Sequence, residues 1–386
     1  MDRYQPYKHA LEKKREQKEF RQLRCVAGLE EQGLRSRVNF ASSDFLGLAS
    51  HPYVKKNTIK SVLEWGAGTS SSRLDKEHLE CHREVEQRLA ALVGRESALL
   101  FPSSSPVHEH LLKTLIHSRC LIFIDRYANQ HLTQAATKTG AQVFRYEHGN
   151  FDQLSSLLEK TGKNISKWII TESLFGMNGE AISLKTLGEL AEMHGALTYV
   201  DDSNTIGVLG KHGMGLASHR RGIDVMYGSF GKESGCIASF IACSQLFRDY
   251  LLTFNPELIE TTTLPPAALG AISACLDLIP DMEIERKKIE EAAARLRHLL
   301  IEHHWDIGKT TSHLIPILCR HEEECDRLSK ALLEQSILVT TLKPPLVPQG
   351  GSRLRLTVTA LQKETDLSYL LKTLESLKEE PSLSTV

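Results

Sequence analysis

A lysine at position 232 stands in the run Tyr227-Gly228-Ser229-Phe230-Gly231-Lys232-Glu233-Ser234-Gly235, between the apolar stretches IDVMY and CIASFIAC. A lysine is ordinarily a solvated surface charge. Here the glycines and serines leave room for a bound group and let the backbone approach it. A lysine that forms a Schiff base with an aldehyde needs that setting. Upstream by 31 residues (232 − 201), the apolar run ALTYV ends in Asp201. An acid at a strand end lies at the carboxyl edge of the sheet, where open α/β sheets bind ligands. That interval holds one crossover and the next strand, so both side chains reach one cleft. A third group, Ser103-Ser104-Ser105-Pro106, follows the apolar run ALLF and opens a helical pattern. Pro106 suits the first helical position, and the serines offer hydroxyls and free N–H groups to an anion. Singly, each has a plainer reading: a turn cap for Asp201, an ordinary N-cap for the serines. Together they meet the needs of pyridoxal phosphate, which requires a lysine for its aldehyde, an anion for its pyridine nitrogen and a cradle for its phosphate.

These residues must be positioned by elements that alternate. Leu121–Asp125, Gln142–Tyr146, Trp168–Thr171 and Leu197–Asp201 read as compact strands. Between them lie amphipathic patterns such as FDQLSSLLEK and LKTLGELAEMHG, the second stopped by Gly195. Strands joined by crossover helices predict an α/β fold with a mainly parallel sheet covered on both faces. A charged helix is expected to about Leu34, with an extended segment at Val38 to Ala41. A helical run is expected from Pro266 to Leu278, and a long helix from about Ile284 to His303. Strands near His313–Cys319, Ile337–Thr341 and Arg353–Val358, with a helix over Glu322–Glu334, predict a smaller α+β part. The expected organisation is an N-terminal helix and arm over 1–45, a large cofactor-binding domain over 46–278, and a small C-terminal α+β domain over 279–386.

Composition narrows the function classes. The 386 residues carry 47 basic and 48 acidic side chains, a net charge of −1, which removes the footprint of a dedicated nucleic-acid binder. No apolar run approaches the roughly 20 residues that span a bilayer, so no membrane partner is expected. The charged start MDRYQPYKHALEKKREQKEF lacks the apolar core of a signal peptide. Eight cysteines are scattered without CxxC or Cys/His ligand spacing, which predicts buried thiols, no metal site and a cytosolic location. The segment Gly66-Ala67-Gly68-Thr69-Ser70-Ser71-Ser72-Arg73 has no G-x-G-x-x-G, because Ser71 takes the third glycine's place.

In register from Asn39 to Thr359, the chain resembles the α-oxoamine synthases, pyridoxal-phosphate enzymes of fold type I. The marks are Asn39-Phe40-Ala41-Ser42-Ser43-Asp44-Phe45-Leu46-Gly47-Leu48, GAGTSSSRL, His82 with its acidic helix, TESLFGMNGEAISL, VDDSNTIGVLG, GSFGKESG, TTTLPP and RLRLTVTA. The resemblance implies decarboxylative condensation of an amino acid with an acyl thioester. It is strongest to the branch that joins alanine to a pimeloyl thioester, on CoA or a carrier protein, in biotin biosynthesis. It implies Lys232 as the catalytic Schiff-base residue and Asp201 as the partner of the pyridine nitrogen. Ser229, Ser104 and Ser105 fall at phosphate contacts, and Thr262 at one supplied by the neighbouring subunit, which implies a homodimer with shared sites. Arg355 and Ser43 fall at the amino-acid site; a guanidinium fork suits a carboxylate.

The chain departs from the family at several cofactor contacts. Asn129 stands where the family stacks a histidine on the ring, with His131 two residues late. Asn204 replaces a histidine near the phenolic oxygen, and Phe175-Gly176-Met177-Asn178-Gly179 replaces F-S-M-D-G. The phosphate loop, usually S-G-x-x-A-N, ends here in His108. An amide still hydrogen-bonds but does not shuttle protons near neutral pH. Three readings follow: the synthase just described, a diverged oxoamine synthase or aminotransferase-like enzyme with other substrates, and a non-catalytic partner subunit.

Overall fold

The computed structural model describes residues 2–16, 20, 38–68, 72–73, 80–102, 105–162, 164–231, 238–256 and 263–379. Lys232, Ser104 and Thr262 lie outside the described residues, as does the side chain of Ser105. The chain divides into two compact units, Met1–Val38 and Asn39–Val386. In the first, helix α1 (Gln5–Glu16) buries no residue and ends on Lys13, Lys14 and Arg15, cations that suit the negative end of a helix dipole. Phe20 is not helical, so the expected helix to Leu34 is not continuous; residues 17–19 and 21–37 lie outside the described set.

Seven strands build the sheet of the second unit: β1 (Ser97–Phe101), β2 (Leu121–Asp125), β3 (Gln142–Tyr146), β4 (Lys167–Glu172), β5 (Ala196–Asp201), β6 (Val225–Ser229) and β7 (Ser239–Cys243). Their order is β1-β7-β6-β5-β4-β2-β3. The pairs β2–β3, β2–β4, β4–β5 and β5–β6 are parallel, and only β7 runs antiparallel to its neighbours. The expected mainly parallel α/β sheet is observed. Strands β1, β4, β6 and β7 are buried at every residue, which is why they read as continuous apolar runs rather than alternating ones.

Alternation along the strands decides which side chains meet. Trp168 and Ile170 of β4, Tyr199 of β5 and Val225 and Tyr227 of β6 share one face and pack with Leu111 and Leu112 of helix α2 (Ser105–Leu115) and Leu132 of helix α3 (Gln130–Lys138). Helix α4 (Leu184–His194) starts where Ser183 accepts from Thr186 N and stops at Gly195, at φ +59°. That stop is the one expected from sequence, since a left-handed residue there costs a glycine least.

A three-stranded antiparallel sheet follows, ordered β8 (Leu314–Leu318), β10 (Arg353–Thr357), β9 (Thr340–Leu342). The expected strand over Ile337–Thr341 is split. Leu338 O accepts from Phe40 N, whereas Thr340–Leu342 pairs with Arg353–Arg355, so the two pieces serve different neighbours. The helix α5 (Glu364–Glu379) was not anticipated, although Leu367, Leu370, Leu371, Leu374 and Leu377 repeat at helical spacing and are all buried.

Candidate active site

The carboxyl ends of β4, β5 and β6 line one cleft of about 730 Å³, together with the start of α3, the Gly176 turn and Arg355. Asp201, the last residue of β5, is buried at this edge. Its Oδ1 accepts from Ser203 N at 3.0 Å and Ser203 Oγ at 2.6 Å. Its Oδ2 accepts from Asn129 Nδ2 at 3.2 Å and stands 3.4 Å from His108 Nε2. Burial opposes ionisation of Asp201, but the imidazole and the Ser203 donors prevail and bring its pKa down to about 2. A fixed anion thus stands at the carboxyl edge of the sheet, in the cleft.

Asp202, pointing the opposite way, does other work. It accepts from Ser173 Oγ, from Thr205 Oγ1 at 2.6 Å and from Ala217 N at 2.8 Å, which ties down the loop after β5. Burial dominates here and pushes its carboxyl up to about 6, against the pull of those donors.

Asn129 is the N-cap of α3: Oδ1 accepts from Leu132 N at 2.9 Å while Nδ2 reaches Asp201, and its backbone N–H donates to Glu172 Oε1 at 2.8 Å. The residue at the expected ring-stacking position is therefore pinned at both ends of its amide. His131, in the first turn of α3, also lines the cleft. Ser229 ends β6, lines the cleft, and accepts from Gly231 N at 3.0 Å, immediately before the lysine position.

Two of the departures from the family pattern fit each other. Asn204 Nδ2 donates to Leu174 O at 3.1 Å, and a Cβ on Gly176 would meet that same Nδ2 at 2.9 Å. Loss of the side chain at 176 makes room for the amide at 204. Gly176 O accepts from Arg355 Nη1 at 3.0 Å, and Asn178 Oδ1 from Arg353 Nη1 at 2.5 Å, so this turn also orients the arginine pair. Arg355 lines the cleft, and its buried Nε has no hydrogen-bond partner among the described residues. An orphaned guanidinium donor suits an incoming carboxylate. Ser43 does not line the cleft; its carbonyl accepts from Phe45 N at 3.0 Å.

The residues present fit pyridoxal phosphate: a buried anion, a hydroxyl at the strand end before the lysine, and an orphaned cationic donor share one opening. Two contributors were missed from sequence. Glu172 and His108 both line the cleft, and each acts on Asp201 or its partner Asn129. Pro345, Leu346, Val347 and Pro348 supply an apolar wall.

Residues 35–374 match the family described as aminotransferase class I and II. The chain belongs to that family. As a member of the aminotransferase class I and II family it is 36% identical over 351 residues to a putative 8-amino-7-oxononanoate synthase of Paramagnetospirillum magneticum, covering 89% of each chain. A solved structure of SPT with PLP is similar with a TM-score of 0.84 at 21% identity, over 88% of this chain and 87% of that one. The 8-amino-7-oxononanoate synthase of Francisella tularensis is similar with a TM-score of 0.78 at 21% identity, over 89% and 98%. Those two likenesses concern the fold. The expected fold-type I architecture, kinship with the α-oxoamine synthases and pyridoxal-phosphate-dependent transferase class all hold. No helix among the described residues is long and apolar enough to cross a membrane.

Proposed function

We propose that this chain condenses an amino acid, alanine, with a pimeloyl-type acyl thioester and releases carbon dioxide, the reaction of an 8-amino-7-oxononanoate synthase. The observation that carries the proposal is the pairing, in one cleft, of an ionised buried Asp201 with an Arg355 whose Nε has no partner among the described residues. Pyridoxal phosphate, when bound, supplies an electron sink for the electrons left at the amino acid's Cα. Lys232 would hold its aldehyde, and the released amine would take and return the Cα proton. Asp201 would accept the hydrogen bond of the pyridine nitrogen, with Asn129 at the ring-stacking position and Asn204 near the phenolic oxygen. Ser229, Ser104 and Ser105 would hold the phosphate, joined by Thr262 of a second subunit in a homodimer. Arg355 would orient the amino-acid carboxylate. The apolar wall from Pro345 to Pro348 would exclude water and take the acyl chain, whether on CoA or a carrier protein. The large part over 46–278 and the small part over 279–386 act as the two halves of the site, in the cytosol.

The test is the visible absorption of the purified protein before and after adding pyridoxal phosphate, with Lys232→Ala beside it, followed by turnover with alanine and pimeloyl-CoA. A band that requires Lys232 and carbon dioxide release from alanine are expected. A band with turnover only on another amino acid or thioester selects the diverged-enzyme reading. A second reading, a non-catalytic partner subunit, is favoured by the amide of Asn129 bonding Asp201 directly. Absence of any band at saturating cofactor selects it.

A further inference from the structure

Of the four donors around Asp201, His108 alone can carry a positive charge. It sits on the first turns of α2, which packs on the sheet face where alternation also places Tyr199 and Asp201. The imidazole is buried, with Nδ1 2.8 Å from Tyr199 Oη and Nε2 3.4 Å from Asp201 Oδ2. Its ring lies 4.1 Å from that of Tyr227, tilted by 46°, which leaves it little freedom to turn.

We propose that His108 is a positioning residue that keeps Asp201 ionised and aimed into the cleft, as the centre of a buried line Tyr199–His108–Asp201. A carboxylate accepts only, so the Nε2 that faces it carries the proton. Nδ1 then accepts from the Tyr199 hydroxyl when the ring is neutral, or donates to that oxygen when the ring is charged. Burial and the neighbouring Tyr227 and Asp201 raise the Tyr199 phenol well above its ordinary range, so it stays an O–H that serves either state. In both states Nε2 keeps its proton towards Asp201 Oδ2 at 3.4 Å, and in the charged state the carboxylate gains a counter-ion in a low-dielectric setting. The groups that face His108 among the described residues are Asp201 and Tyr199 from β5 and Tyr227 from β6; Glu172 of β4 lies beyond Asn129. His108 Nε2 thus shares Asp201 Oδ2 with the Asn129 amide.

This inference rests on the reading of Asp201 as the partner of the pyridine nitrogen, and the experiment separates the two. In the cofactor-free wild-type protein, the imidazole ¹⁵N resonances of His108 are titrated beside those of Asp201→Asn. The His108 ring is expected to titrate differently in the variant, where the carboxylate that faces Nε2 is gone. Equilibrium binding of pyridoxal phosphate is then measured for His108→Gln, which keeps a donor without a charge, and for Tyr199→Phe. His108→Gln is expected to weaken binding about tenfold and to move the pH midpoint of the bound cofactor's visible band, the scale of one charge-assisted hydrogen bond. Tyr199→Phe is expected to move the midpoint in the same direction. An unchanged His108 titration in Asp201→Asn overturns the proposal, as does a His108→Gln protein with wild-type affinity and midpoint. If His108→Gln does not fold, the wild-type titration and Tyr199→Phe decide. If the wild-type protein shows no cofactor band, the functional reading fails, while the cofactor-free titration still decides the His108–Asp201 pair.

Discussion

At the scale of single residues, two adjacent carboxylates are driven in opposite directions by their surroundings. Asp201 has its pKa near 2 because its donors outweigh its burial, and Asp202 has its pKa near 6 because burial outweighs its donors. An unfolded aspartate titrates near about 3.9. Asp201 therefore contributes stability that is present above about pH 4 and is lost as pH falls toward about 2. Asp202 contributes stability that is full below about pH 4 and is lost as pH rises through about 6. Urea unfolding of the cofactor-free protein across pH should show the fall between about pH 4 and 6 vanish in Asp202→Asn, while Asp201→Asn removes the fall on the acid side. Arg355 is tested by its kinetics: Arg355→Lys should raise the amino-acid KM by about tenfold or more while the cofactor's visible band stays unchanged, because an ammonium cannot hold Gly176 O and a carboxylate in one fork. Asn129→Ala should cost about 1 kcal/mol of stability as a lost N-cap and reduce turnover less than Lys232→Ala does.

Backbone approaches hold the site's elements, and a buried Arg73–Glu86 ion pair braces β1. Gly179, at φ +68°, follows the turn that orients Arg353 and Arg355, and a Cβ there would lie 1.9 Å from Leu314 O. Neither backbone can yield, so Gly179→Ala should lower stability by about 3 kcal/mol or more and also weaken amino-acid binding, read by thermal unfolding and KM. Within GAGTSSSRL, the described Arg73 is held by a buried partner. Arg73 Nη2 pairs with Glu86 Oε1 at 2.7 Å, and the pair brackets Leu100 of β1 through its carbonyl and its N–H. Glu86→Ala would leave a buried guanidinium unpaired, an expected loss of about 3–5 kcal/mol in chemical denaturation. Most of these elements were legible because buried parallel strands are unbroken apolar runs and helices end on readable caps. The split at Ile337–Leu342 was not, since each piece is chosen by a different partner.

For the whole molecule, the proposed sharing of sites makes a prediction about mixtures. A hybrid of Lys232→Ala and Thr262→Ala subunits carries both defects in one site and neither in the other. Refolding the two variants together should restore turnover that each lacks alone, and sedimentation should show a dimer. Mixtures as inactive as the separate variants would exclude Thr262 acting across the interface.

The sequence by itself determined four strands of the large sheet, the sheet's mainly parallel character and the placing of Asp201 at a strand end, because those depend on local apolar runs and on where they stop. It also carried the family pattern, spread along the chain in order. Only the tertiary structure decided what surrounds the carboxylate. His108 and Asp201 are 93 residues apart (201 − 108), and they meet because α2 packs on the face to which β5 turns its odd-numbered side chains. Gly176 and Asn204 read as two separate losses in sequence, yet the space left by one is filled by the amide of the other. Contacts of that kind belong to packing across elements, which no local pattern of residue types encodes.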